Sequence, residues 1–319
     1  MNDPILTEER LCYFPIQYPE LHALYVKQVE CFWRAEEIDI STDSIAYDKL
    51  KDEEKYFINH ILGFFASSDS IVMGNLMENF MNEVKCLECK MFYSFQSAME
   101  SIHSLTYSLL IDTIIRNKET KKKVFNSINE FQAIKKKADW CNKYFSRKRS
   151  FASRLVAFAC VEGIFFSGAF CSIYWLKKRG ISMNGLIFSN DLISRDEALH
   201  TEFAIALFKK LNHKPSKDKI KTIIKDAVDL EKEFINESLP CRLVGMNSNL
   251  MNQYIEFVGD RLSYQLCLEK IYDVTNPFDF MESISVENKT NFFEARVSEY
   301  ALANTNVSGK EFDFDDLSF

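Results

Sequence analysis

Two copies of Glu-x-x-His, Glu100/His103 and Glu197/His200, limit what this chain can fold into more than any other feature. On a helix, Glu100, His103 and Tyr107 fall at i, i+3 and i+7, so all three project from one face. Phe92, Phe95, Met99, Ile102, Leu105 and Leu110 surround them, and the helix reads as buried. An unpaired carboxylate there costs several kcal/mol or titrates away. A bound metal ion is one reason for a chain to tolerate it.

Two further acids share the anomaly. Asp69 lies on an apolar stripe with Leu62, Phe65, Val72 and Leu76. Glu162 is flanked at helical spacing by Leu155, Phe158, Phe165, Phe166 and Ala169. Two helices thus bring one carboxylate each, and two bring Glu-x-x-His. That is the donor arrangement of an all-α, ferritin-like helical bundle with a dinuclear metal site in its core. Oxygen-rich ligation with two imidazoles favours iron or manganese over a thiolate metal. Asp196 is one residue off Glu197 and cannot share its direction. It is either an acceptor that orients a ligand imidazole or a solvated helix residue. Tyr107 is either a core tyrosine or a phenol close enough to such a site to be oxidised. His22, His60 and His213 have no such setting: His213 reads as exposed near a loop and His60 as a packing residue.

Only nine Gly and six Pro in 319 residues favour long helices over a turn-rich β fold. The net charge of −7 argues against nucleic acid as a partner. The clusters Lys121–Lys123, Lys135–Lys137 and Arg147–Arg149 read as solvated helix ends. Nine scattered cysteines fit a reducing compartment, hence a cytoplasmic location. Cys86-Leu-Glu-Cys89 lacks the second pair that a zinc ribbon needs and reads as packing thiols. The N-terminus carries acids and a Pro where a signal peptide has basic and then apolar residues. Leu155–Leu176 is long enough to span a bilayer, but Glu162 lies inside it. It reads as the central helix of a soluble bundle, with no membrane partner.

Along the chain, residues 1–19 hold three prolines and read as an extended arm. Residues 20–300 form the helical domain and 301–319 a flexible tail. Helices are expected over about 20–37, carrying Trp33, then 51–84, 85–115, 119–145, 151–180, 188–211, 216–238 and 248–272. Thr42–Asp48 reads as a connection.

The stretches Phe64-Phe-Ala-Ser-Ser-Asp69, Glu100-Ser-Ile-His103 through Tyr107, Val161-Glu-Gly-Ile-Phe-Phe-Ser-Gly168, Ser194-Arg-Asp-Glu-Ala-Leu-His200 and Asn276-Pro-Phe-Asp-Phe-Met281 carry a resemblance. Over nearly its whole length the chain resembles the small, radical-bearing subunit of class I ribonucleotide reductase, eukaryotic type, viral members included. The short N-terminal arm leans toward a viral form, in which case the cytoplasm is the host's.

The resemblance implies two iron ions per chain, an oxo-bridged centre that manganese can replace in vitro. Asp69, Glu100 and His103 would bind one ion, and Glu162, Glu197 and His200 the other. O₂ would be the oxidant and Tyr107 the radical residue, with Phe166, Phe170 and Ile193 lining its pocket. Trp33 and Asp196 would form a hydrogen-bonded relay to His103, and Tyr300 would pass the radical onward. The protein would be a homodimer. Its tail, Glu311-Phe-Asp-Phe-Asp-Asp-Leu-Ser-Phe319, would dock into the large catalytic subunit, which makes deoxyribonucleotides. The tail keeps the final Phe and acids but not the aromatic spacing of cellular members. A dimetal oxygenase or ligand-binding oxidase, or an iron-storage protein, on the same bundle is the rival reading.

Overall fold

The computed structural model describes residues 3–238 and 246–281 and is built from helices, with no strand among the described residues. Met1–Phe278 form one compact unit that carries every helix named below. Asp279–Phe319 form a second unit, of which only residues 279–281 are described. Tyr300 and the tail 301–319 therefore lie outside the described residues. The first unit ends at Phe278, and the expected domain boundary at 300 lies outside the described residues.

Four long helical segments form the centre. They are α2 (Asp52–Asn75), α3 (Leu87–Ile114), the broken segment α5 (Phe151–Cys160) with α6 (Ser167–Lys178), and α7 (Asn184–Lys210). Helix α3 packs along α1 (Pro19–Glu30), α2 and α7, while α5 and α6 pack on α7. Outside this core, α4 (Gln132–Phe145), α8 (Lys217–Ser238) and α9 (Ser248–Gln265) cover the broken segment. The start of α7 is capped from a distance. The Asp43 carboxylate accepts the N–H groups of Gly185 (3.0 Å) and Leu186 (2.7 Å), two donors that a helix start leaves orphaned. Gly185 permits this approach, because a Cβ there would meet Asp39 O at 2.8 Å.

Several expected boundaries shift, for local reasons. The 20–37 helix stops at Glu30; Ala35–Glu37 is a separate 3₁₀ turn, and Trp33 lies between the two. The 119–145 segment is three helices, Lys118–Phe125, Ser127–Glu130 and Gln132–Phe145. Its break lets Ser127 Oγ donate to Gly63 O on α2 at 2.7 Å. The 42–48 connection contains a short helix, Asp43–Asp48. Helix α9 ends at Gln265 rather than 272, just before Cys267 in the left-handed region (φ 63°).

The N-terminal arm is not wholly extended. Pro4–Thr7 make one helical turn, and Ile5 O accepts from Lys85 N (3.1 Å) and Cys86 N (3.3 Å) at the start of α3. Cys86 and Cys89 are both buried free thiols. The apolar stretch Phe151–Lys178 is almost wholly buried inside the fold. It is a core helix, and its interruption is a π turn, Val161–Phe165, that the periodicity did not reveal.

Candidate metal centre

The four central segments each deliver donors to one buried place. Asp69 comes from α2, Glu100 and His103 from α3, Glu162 from the π turn, and Glu197 and His200 from α7. None of the six is more than 3% exposed. Glu100, Glu162, Glu197 and His200 have donor atoms within 4.8 Å of one another.

The two Glu-x-x-His glutamates lie between the imidazoles. His103 Nδ1 is 3.4 Å from Glu100 Oε2 and 3.2 Å from Glu197 Oε1. His200 Nδ1 is 3.2 Å from Glu100 Oε1 and 3.0 Å from Glu197 Oε2. Each glutamate therefore faces both histidines with a different oxygen. Either carboxylate would thus be placed to serve both ions of a pair.

The outer nitrogens of both rings are held. Asp196 Oδ2 accepts from His103 Nε2 at 3.1 Å and from Trp33 Nε1 at 2.7 Å. Trp33 also stacks on the His103 ring, centroids 5.7 Å apart. Asp196 is 2% exposed, which rejects the solvated alternative. On the other side, Gln28 from α1 lies 3.1 Å from His200 Nε2. With a metal on Nδ1, Nε2 would carry the proton and need an acceptor. Gln28 Oε1 has no other partner, so a rotated amide satisfies both groups. Gln96 Nε2 donates to Glu162 Oε1 at 2.9 Å and, more weakly, to Glu100 Oε1 at 3.4 Å.

Gln28 and Gln96 were missed in the sequence, yet both carried a signal. Leu21, Leu24 and Gln28 share one stripe, and Gln96 is four residues before Glu100 on the buried face. Of the other histidines, His60 is buried between Tyr56 and Phe131, and the His213 side chain is 60% exposed.

Within this pocket, both oxygens of Asp69, Oε2 of Glu100, Oε2 of Glu162, Oε1 of Glu197 and Nδ1 of His103 make no hydrogen bond. Buried polar atoms are rarely left so. Burial, reinforced by Glu100, pushes the Asp69 carboxyl well above the usual range; burial with Glu197 does the same to Glu162. Against its own burial, His200 is drawn up to about 9, chiefly by Glu197, and His103 is raised by its bond to Asp196. Glu197 is drawn down, against burial, by His200. Four carboxylates beside two imidazoles cannot all stay ionised without positive charge. Two divalent cations would balance four carboxylates and use the orphaned atoms, displacing protons as they bind. The residues fit a dimetal site.

Tyr107 is 1% exposed and its hydroxyl has no hydrogen-bond partner. Burial, then the nearby Asp69, raises its pKa well above the usual phenol value. Its ring stacks on Phe65 at 4.5 Å, and Phe166 and Phe170 pack behind Phe65 at 5.8 and 5.3 Å. Phe166, Phe170 and Ile193 are all buried. Phe65, placed earlier only on the Asp69 stripe, is the direct neighbour.

Fold and site together define a ferritin-like protein of the dimetal-carboxylate class. The family described as ribonucleotide reductase, small chain, matches residues 10–277. The chain is 57% identical to the ribonucleoside-diphosphate reductase small chain of Neurospora crassa over 318 residues, covering 98% of this chain and 77% of that one. It is 54% identical to the corresponding chain of vaccinia virus (strain Ankara), covering 93% and 94%. The solved Rnr4 homodimer of Saccharomyces cerevisiae superposes with a TM-score of 0.80 at 38% identity, covering 93% of this chain and 92% of that one.

This chain belongs to the ribonucleotide reductase small-chain family, on its eukaryotic-type class I branch. It is a component of an oxidoreductase. The fungal relative is as similar as the viral one, so kinship does not single out a viral form.

Proposed function

We propose that Asp69, Glu100, His103, Glu162, Glu197 and His200 hold two iron ions, and that Tyr107 is the residue oxidised beside them. The observation that carries this is the convergence of orphaned donor atoms beside a sealed phenol. When bound, such a pair of ions supplies the reduction of O₂ coupled to one-electron oxidation of a phenol; manganese is a substitute in vitro.

The chain's own residues do the rest. Asp196 and Gln28 hold the outer N–H of the two imidazoles, so both Nδ1 atoms face the carboxylates. Tyr107 keeps its proton at rest, because burial disfavours the phenolate. When an electron leaves the ring the proton leaves too, and the unpartnered oxygens of Asp69 are the nearby acceptor. Phe65, Phe166 and Phe170 exclude water from the oxidised ring. Trp33, hydrogen-bonded to Asp196, provides the entry for the further electron that O₂ reduction requires.

The chain acts with a large catalytic subunit that reduces ribonucleoside diphosphates. Tyr300 and the acidic, aromatic tail serve transfer and docking. A second copy of the chain completes the small-subunit dimer. Met91, Leu105 and Leu109, exposed along one face of α3, supply an apolar stripe suited to it. The buried free thiols support a location in the cytoplasm.

The test is anaerobic Fe(II) loading followed by O₂, read by electron paramagnetic resonance. A tyrosyl signal is expected in the parent. Tyr107→Phe should abolish it while leaving the iron absorbance. A persisting signal in that variant moves the radical elsewhere. Deleting residues 309–319 should spare the signal and remove activity with the large subunit; full activity would refute the docking role.

A further inference from the structure

The ion pair Lys137–Glu231 lies behind the metal centre, not in it. Lys137 sits on α4 and Glu231 on α8, 2% and 0% exposed. The ammonium packs against the rings of Phe64 (3.7 Å) and Phe234 (3.9 Å). Buried pairs of this kind add little net stability over apolar residues of the same volume. The contacts of this pair point to another role.

Each partner also holds one main-chain group at the break in the third segment. Lys137 Nζ donates to Phe165 O at 2.9 Å, and Glu231 Oε1 accepts from Gly168 N at 3.1 Å. A π turn shifts the hydrogen-bond ladder by one residue and strands groups that a regular helix would pair. Joined to each other, the two side chains span the break from Phe165 to Gly168. Gly168 permits the contact: a Cβ there would meet Glu231 Oε1 at 2.5 Å and Ile235 Cγ1 at 2.7 Å. Glu162 lies inside the same turn, three residues before Phe165.

We propose that the Lys137–Glu231 pair positions the metal centre. It pins both sides of the π turn and so fixes the Glu162 carboxylate relative to Glu100, Glu197 and His200. The inference rests on the reading of Glu162 as a metal ligand.

The test titrates the full chain anaerobically with Co(II), a redox-stable probe, by calorimetry and visible absorption, beside urea denaturation of each variant. The parent should bind two ions, and Glu162→Gln should weaken one of them. Lys137→Met should weaken that same ion on the order of tenfold and alter its absorption, leaving the other unchanged. The double variant Lys137→Met/Glu231→Gln removes both charges but keeps an acceptor for Gly168 N–H. Its folding stability should return toward the parent while the weakened ion stays weak, a separation that a purely structural role does not produce.

If stability and affinity recover together, or if Lys137→Met binds both ions as the parent does, the positioning role is refuted. Should Lys137→Met not fold, the double variant gives the same reading. If Glu162→Gln keeps both ions at parental affinity, the ligand assignment and this proposal fall together.

Discussion

Replacing Asp196 by Ala strips away one oxygen that two buried donors share. Its Oδ2 accepts from Trp33 Nε1 at 2.7 Å and His103 Nε2 at 3.1 Å, while Oδ1 takes a longer bond from Arg195 Nη2 at 3.3 Å. Arg195 Nη2 keeps Cys31 O at 2.7 Å, so the guanidinium is not stranded. Trp33 and His103 are 2% and 0% exposed, and neither reaches water for a substitute partner. Each buried donor left unsatisfied costs about 1–3 kcal/mol, which makes the loss about 2–6 kcal/mol. That is a large share of the roughly 5–15 kcal/mol that holds a domain together.

Asp196→Asn keeps an oxygen for both donors and loses the charge and the longer Arg195 contact, so about 1–2 kcal/mol is expected. Urea denaturation of the metal-free chain measures both, with m-values compared to confirm a common unfolded state. Metal titration should show the ion beside His103 weakened about 10–100-fold in the Ala variant. An Ala variant within about 1 kcal/mol of the parent, with unchanged metal affinity, refutes the claim that this carboxylate holds the imidazole.

Two further outcomes follow from other contacts. Burial alone would raise the Glu54 pKa, but the Lys51 N–H at 3.0 Å and the Arg179 guanidinium outweigh it and hold it below 4.5. A lowered folded-state pKa means stabilisation that is complete above the unfolded value and lost as pH falls through the folded one. Denaturation midpoints should therefore drop below about pH 4.5 in the parent, and Glu54→Gln should flatten that drop by about 1 kcal/mol; an unchanged acid limb counts against the contact. Gln28→Leu should leave the outer N–H of His200 unpaired and weaken the neighbouring ion about tenfold, with the His103 ion unaffected; equal weakening of both ions would rule out a local effect.

The donors were legible because each broke a pattern. A Glu, Asp or His on a stripe of Phe and Leu is a contradiction in the sequence itself, and six such residues resolved into one site. Gln28 and Gln96 break the same pattern more softly, since a neutral amide is less costly to bury than a charge, and they passed unnoticed. The π turn at Val161–Phe165 left no mark at all. It needs one extra residue per turn, not a special composition, and what stabilises it comes from α4 and α8. Lys137 was read as part of a solvated cluster for a related reason: the spacing of lysines cannot tell which one turns inward to an acid far along the chain. Trp33 was placed on a helix that stops at Glu30, because its partner Asp196 is set by tertiary packing.

The burial of Tyr107, with Phe65 stacked on its ring and Phe166 and Phe170 behind Phe65, has a kinetic corollary. A dissolved scavenger cannot collide with an oxygen walled in this way. It must wait for neighbouring segments to breathe apart, or send its electron across the rings. The lifetime of the oxidised Tyr107 proposed above would then be governed by how often the bundle opens and how small the attacker is, with its reducing strength a secondary matter.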